Sequence, residues 1–153
     1  FKRIFKGFYL LRTEDEWMEF IITSHGNIAI GFVDTLKMFF GDNLNCHVVT
    51  LGDAGIEEFR ENIEKIVSQV KNQEVMVFAD LIGGTPFNEF AKRSEVFQNG
   101  FQLLGGMNLG ILIEAVNLRL QGKKSDDIIG NLRNMNTIAC LADMQRHTNE
   151  EDE

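Results

Sequence analysis

Short apolar runs alternate along the chain with longer segments in which apolar residues recur every three or four positions. The short runs are almost continuously apolar, which is typical of parallel strands buried on both faces. The longer segments have the period of amphipathic helices. This alternation predicts an α/β fold: an open, doubly wound, mainly parallel sheet with helices on both faces. The four predicted parallel strands span residues 19–24, 46–51, 74–79 and 101–104.

The helical period covers residues 29–40, 56–70 and 109–120, and Ser125 followed by two aspartates is typical of a further helix start. Another apolar run, at residues 136–142, ends the series. Coming last, it can join the sheet only at an edge, so it is predicted to be a C-terminal antiparallel edge strand. Because an edge strand left alone exposes apolar side chains and unpaired amides, we expect two subunits to cover it in a homodimer. A closed monomer with the strand folded back is the alternative.

Length and composition indicate one domain in a chain of 153 residues. Residues 1–17 are interpreted as an N-terminal extension, natural or added, residues 18–143 as the domain and residues 144–153 as an acidic tail. The net charge of -8 disfavours nucleic acid as a partner, and the chain has no run of the ~20 apolar residues that a membrane helix needs. Two cysteines without a CxxC spacing fit free thiols in a cytoplasmic protein.

Candidate chemistry follows the first and third strands. His25 comes directly after the first strand and Asp80 directly after the third. Because ligands of open α/β sheets bind beyond the carboxyl ends of the strands, the two side chains are expected at one rim. A carboxylate that accepts a hydrogen bond from one ring nitrogen leaves the other nitrogen free to act as a nucleophile. Each residue alone has an ordinary interpretation, as a lone histidine or a loop aspartate.

The segment after Asp80 adds a site for an anion. Gly83 and Gly84 allow close backbone approach, Pro86 suits the first turn of a helix, and Thr85 supplies a hydroxyl or caps that helix. The free amides and dipole of a helix start favour an anion. The combination predicts a phosphohistidine site that needs no metal and no cofactor.

Two segments then resemble a known family. Ile21-Ile22-Thr23-Ser24-His25-Gly26 and the segment from Asp80 to Asn88 are similar to the two signatures of the mannose-type IIA proteins of the bacterial phosphoenolpyruvate-dependent sugar phosphotransferase system, and the resemblance covers residues 18–142. It implies that His25 accepts a phosphoryl group from the histidine phosphocarrier protein and passes it to a IIB component, with Asp80 paired to the histidine. Ser24, Gly84 and Thr85 would lie at the phosphoryl group. The family also exchanges a C-terminal strand between two subunits, and it meets the membrane only through the transporter complex.

Departures from the family pattern are mild. Ser24, Ile82 and Thr85 stand where the family often has threonine, tryptophan and serine, so the sugar remains open. Three alternatives remain: a regulatory module of a transcriptional regulator, the phosphohistidine domain of a dihydroxyacetone kinase system, and a hydrolase using His25 as a base. The hydrolase is disfavoured because the sequence has no GxSxG turn. A metal site would need a ligand beyond His25 and Asp80, for which Asp53 is the doubtful candidate.

Overall fold

The computed structural model describes residues 17–151, with side chains described as far as Arg146. Four strands alternate with six α-helices in this part of the chain. The strands are β1 (Glu19–His25), β2 (Cys46–Leu51), β3 (Val75–Ala79) and β4 (Phe101–Gly105). The helices are α1 (Ile28–Phe40), α2 (Ile56–Val70), α3 (Thr85–Ala91), α4 (Leu109–Leu120), α5 (Ser125–Arg133) and α6 (Leu141–Glu151). The predicted elements before residue 134 are therefore confirmed, most of them to within one or two residues of their ends.

The four strands form one parallel sheet in the order β2-β1-β3-β4. Because successive residues of a strand point to opposite faces, β1 supplies Phe20 and Ile22 to one core and Ile21 to the other. The first core lies under α1, α4 and α5. The second lies under α2 and α3. Helices thus cover both faces, and the predicted α/β class with its doubly wound parallel sheet is confirmed.

The predicted fifth strand at residues 136–142 is wrong for the described chain. Residues 136–140 are neither helix nor strand, and α6 begins at Leu141. A strand requires a partner for its backbone amides, whereas a helix satisfies them within itself. Within residues 17–151 no strand pairs with this segment, and only its last two residues enter a helix. Ile138 and Leu141 are 83% and 68% exposed, so the apolar side chains that suggested a strand have no burial in one copy.

None of the helices within the described residues has the length and apolar character needed to cross a membrane.

Candidate functional site

The candidate site lies where the strand order reverses. The chain goes from β1 outward to β2 and then returns to β3 on the other side of β1. The crevice between the carboxyl ends of β1 and β3 is therefore the switch point at which ligands of such sheets bind. His25 is the last residue of β1 and Asp80 follows β3, so the topology puts both at this crevice.

His25 and Asp80 are in direct contact. The ring Nδ1 of His25 lies 2.9 Å from Oδ2 of Asp80, and the backbone N–H of His25 donates to the same oxygen at 2.9 Å. The other carboxylate oxygen, Oδ1, accepts the N–H of Leu81 at 2.9 Å. The Asp80 side chain is 9% exposed and that of His25 is 40% exposed. The buried carboxylate of Asp80 therefore holds the ring of His25, while the ring itself reaches solvent.

Several hydrogen bonds keep Asp80 ionised. Burial alone would raise the pKa of its carboxyl group, but the two bonds from His25 and the bond from Leu81 outweigh burial and leave the pKa below its usual value. An ionised Asp80 accepts a hydrogen bond from a protonated Nδ1 and so favours the tautomer in which Nε2 has a free lone pair. The available nucleophilic nitrogen of this site is therefore Nε2.

The loop after Asp80 brings the start of α3 against the histidine ring. Gly83 has φ of +71°, a conformation that favours glycine, and its carbonyl accepts a hydrogen bond from Asn88 at 2.8 Å. Gly84 is the N-cap of α3, and Pro86 is buried in the first turn. A Cβ atom on Gly84 would lie 3.1 Å from Cε1 of His25. The predicted close approach of backbone at Gly84 is thus present, and it is directed at the ring.

Thr85 is the first residue of α3 and is exposed. The N-cap is Gly84, so the alternative interpretation of Thr85 as the cap does not apply.

Ser24 lies below the rim rather than on it. Its side chain is buried, and its hydroxyl donates to the carbonyl of Gly26 at 3.2 Å and accepts the N–H of Ala29 at 2.9 Å. These bonds join β1 to the first turn of α1. The structure therefore gives Ser24 a role in shaping the loop that presents His25.

Asn88 and Glu89 were not among the predicted site residues. Asn88 closes the loop through Gly83, and Glu89 is a buried carboxylate that pairs with Arg60 of α2. For Glu89 a sequence signal exists: the acid directly precedes the buried Phe90 and is followed at i+3 and i+4 by Lys92 and Arg93. The partner on α2 is 29 residues away and has no such signal.

The other candidate groups do not join this site. His47 pairs with Glu19 at 3.0 Å near the opposite end of the sheet. Among the described residues no cluster of three or more His, Cys, Asp or Glu side chains could hold a metal ion. Cys46 and Cys140 are free thiols, and burial raises the pKa of Cys46.

Comparisons with known proteins agree on one family. The family model described as "PTS system fructose IIA component" (EIIA-man) matches residues 19–133. The PTS system fructose-specific EIIA component of Bacillus subtilis (strain 168) is 30% identical over 117 residues, 75% of this chain and 79% of the relative. The sorbose-specific EIIA component of Klebsiella pneumoniae is 24% identical over 132 residues, 86% of this chain and 96% of the relative.

Solved structures show the same fold. A PTS IIA protein associated with the fucose utilization operon of Streptococcus pneumoniae superposes with a TM-score of 0.72 at 25% identity, covering 87% of this chain and 99% of that one. A sigma-54 interaction domain protein from Enterococcus faecalis shares the fold at a TM-score of 0.65 and 16% identity, covering 78% and 90%. At that identity the likeness concerns the fold alone.

The fold and its relatives define a IIA component of the sugar phosphotransferase system. The chain belongs to the EIIA-man family, which confirms the resemblance to mannose-type IIA proteins. Its role is accordingly phosphotransfer within sugar uptake by that system.

Proposed function

We propose that His25 is the phosphoryl acceptor, taking the group on Nε2 from the phosphohistidine of the histidine phosphocarrier protein and passing it to a IIB component. The observation that supports this most strongly is the 2.9 Å contact between Nδ1 of His25 and Oδ2 of Asp80. That contact leaves the ring in one orientation, with one nitrogen occupied and the other available. A nucleophile oriented by a neighbouring carboxylate is what transfer between histidines requires.

The transfer step exchanges one N–P bond for another. The lone pair of Nε2 attacks phosphorus in line, and the bond between phosphorus and the donor's ring nitrogen breaks with its electron pair returning to that ring. The proton on Nδ1 of His25 stays in its bond to Asp80, whose charge stabilises the positive character of the phosphorylated ring. No metal and no cofactor enter this step. Transfer to the IIB component is the same step in reverse, with the IIB nucleophile as acceptor.

The start of α3 is the proposed cradle for the phosphoryl oxygens. The amide of Thr85 lies at the positive end of the helix and its hydroxyl on the same exposed turn, whereas the N–H of Gly84 donates to the carbonyl of Leu81 at 3.3 Å. The approach of Gly84 to Cε1 of His25 places that turn beside the ring. Ser24 contributes through the loop, because its hydroxyl is already bonded to Gly26 and Ala29.

Intact-mass measurement tests the acceptor. We expect incubation with phosphoenolpyruvate, enzyme I and the phosphocarrier to add one phosphoryl group that is labile in acid and stable in base. His25→Ala should abolish the adduct. His47→Gln is the matched control, since it removes the other histidine that is paired with a carboxylate, and it should leave the adduct intact. An adduct that persisted in His25→Ala would contradict the assignment.

A regulatory module is the second candidate, because the fold alone does not separate it from a carrier and a sigma-54 interaction domain protein shares that fold. In that case His25 would still be phosphorylated, but the phosphoryl group would not move on to sugar. Incubating the phosphorylated protein with IIB components distinguishes the two. Loss of the adduct to a IIB component supports the carrier, and retention with every IIB component supports the regulator.

The proposed function also implies where the protein acts and which residues form its functional domain. We place it in the cytoplasm, with residues 18–143 as the functional domain and with the membrane reached only through the transporter complex.

We also propose a homodimer formed by exchange of residues 136–142, which are exposed in the single chain and would gain backbone partners at the edge of a second sheet. Deleting residues 136–153 and measuring mass by light scattering tests this. A dimer that survived would place the interface elsewhere.

A further inference from the structure

A buried carboxylate connects α3 to α2. The Glu89 side chain is 5% exposed, and it accepts hydrogen bonds from Nε and Nη2 of Arg60, both at 3.2 Å. Lys92 and Arg93, one turn further along the chain, donate to the same carboxylate at 2.9 and 3.0 Å. Arg93 also bonds Glu64 of α2 at 2.6 Å. One acid on α3 is therefore held by cations from both sides of the helix–helix contact.

α3 is a short element that packs against β1, β3 and β4, mainly through apolar side chains. It has seven residues, of which Pro86, Glu89 and Phe90 are buried. A helix of this length is not stable on its own, so its placement depends on tertiary contacts. Apolar contacts tolerate sliding along the helix axis, whereas a two-pronged arginine–carboxylate pair has a defined geometry. Glu89 is thus the residue of α3 that best defines its position along that axis.

The opposite end of α3 is where position matters. A Cβ added to Gly84 would lie 3.1 Å from Cε1 of His25 and 3.2 Å from Cβ of Leu81, so only a residue without a side chain fits between the helix start and the ring. A displacement of α3 would either press Gly84 on the ring or withdraw the helix start from it. Misplacement by about 1 Å can cost a factor of 10² in rate.

We propose that Glu89 is a positioning residue, which fixes α3 so that Gly84 and Thr85 face the ring of His25. The effect on transfer rests on the proposed function, whereas the effect on the geometry of the rim does not. A whole buried ion pair can often be replaced by apolar residues without loss of stability, so stability alone does not account for charged residues here. Fixing the position of α3 does account for the charge of Glu89.

Glu89→Gln tests this role, with Glu57→Gln as its control. The glutamine keeps the shape of the side chain and removes its charge. Glu57 also bonds Arg60, through Nη1 at 2.8 Å, but its side chain is 78% exposed on α2. Two measurements are made on both variants: the NMR signals of the Gly84 and Thr85 amides and of the His25 ring, and single-turnover phosphoryl transfer at varied phosphocarrier concentration.

We expect Glu89→Gln to shift the Gly84, Thr85 and His25 signals and to lower the maximal transfer rate about tenfold. The phosphocarrier concentration at half-maximal rate should not change, because the substituted side chain is buried. Glu57→Gln should change neither measurement. Should Glu89→Gln fail to fold, Arg60→Gln removes the partner on α2 while Lys92 and Arg93 still neutralise the acid, and the same shifts are expected.

Unmoved NMR signals in a folded Glu89→Gln protein would overturn the inference, as would a maximal rate equal to that of wild type. Failure of the wild-type protein to accept phosphate would instead contradict the proposed function. The NMR measurement would still decide whether Glu89 positions α3.

Discussion

Two histidine–carboxylate pairs lie at opposite ends of the same sheet. His25 and Asp80 meet at the carboxyl ends of β1 and β3, whereas His47 and Glu19 meet near the amino ends of β1 and β2. The distances are nearly the same, 2.9 and 3.0 Å. The bonded ring nitrogens differ: Asp80 is hydrogen-bonded to Nδ1 of His25, whereas Glu19 is hydrogen-bonded to Nε2 of His47. Pairing with a carboxylate therefore does not by itself distinguish a reactive histidine from a structural one.

The two ends of the sheet offer opposite backbone groups. At the carboxyl ends, helices begin and present N–H groups, which favour an anion. At the amino ends, the connections present carbonyl groups, which favour a cation. Arg119 occupies that end, donating to the carbonyls of Met18, Leu44 and Asn45. The end of the sheet, more than the pair itself, therefore favours His25 over His47 as the proposed phosphoryl acceptor.

The largest expected effect comes from exchanging the two carboxylates for amides. Asp80→Asn removes a charge-assisted hydrogen bond worth about 1.5–3 kcal/mol, so phosphorylation of His25 should slow about 10- to 100-fold. Glu19→Gln makes the same change at the other end and should leave the rate unaltered. Single-turnover transfer measured by quenched flow gives both rates. Equal rates for Asp80→Asn and wild type would reduce Asp80 to a loop residue.

Arg119→Met should separate stability from transfer. The arginine is buried, and its loss removes charge-assisted hydrogen bonds to three backbone carbonyls near the amino ends of the strands, so we expect the free energy of unfolding to fall by about 2–3 kcal/mol. The folded protein should still transfer at the wild-type rate. Urea unfolding measures the first quantity, and Arg133→Met, at an exposed position, is the control. A parallel loss of transfer would mean that the two ends are coupled.

Acid should weaken the ion pairs that Glu89 makes with Arg60, Lys92 and Arg93. Hydrogen bonds from Arg60, opposed by burial and helped by Lys92 and Arg93, lower the pKa of Glu89 from 4.5 to about 2. Because the folded-state pKa is depressed, the stabilisation is complete above the unfolded pKa and is lost as pH falls toward 2. Wild type should exceed Glu89→Gln by about 2 kcal/mol at pH 7 and by almost nothing at pH 2. Urea unfolding across this range measures the difference, and a constant difference would exclude ionisation of Glu89 as its source.

The smallest expected effect is at Gly84. Its φ of -68° is open to alanine, but the new methyl group would meet Cε1 of His25 at 3.1 Å and displace the ring by a few tenths of an ångström. We expect transfer to slow about three- to tenfold with little change in stability. Gly31→Ala is the control, since a Cβ there meets nothing within 4 Å. An unchanged rate in Gly84→Ala would show that the rim adapts.

Local sequence pattern predicted most of the fold for a physical reason. The ends of β2, α2 and α4 agree with prediction to the residue, because the apolar period and the flanking turns that define them lie within the segments themselves. The predicted strand at residues 136–142 is wrong because a strand is stabilised by its partner strand as much as by its own sequence. The apolar composition was correctly recognised there, but the described part of the chain supplies no partner.

The site was predictable to the extent that it follows from topology. His25 and Asp80 are separated by 55 residues, yet both end parallel strands, and that rule alone brings them together. Ser24 was expected at the phosphoryl group, but the direction of its side chain depends on the α1 turn, which residue type does not reveal. The Arg60–Glu89 pair connects two helices across the core boundary and has no local signature.

One oxygen of Asp80 accepts both the ring and the backbone of His25. These two hydrogen bonds to a single oxygen tie the side-chain torsions of the histidine to its own main chain. The ring is therefore confined to one rotamer before any partner binds. The entropy of ordering the ring is lost once, during folding, and not again at each encounter. A carrier built in this way presents the same geometry when it receives as when it gives, which suits a group that must travel onward in either direction with little change in the protein.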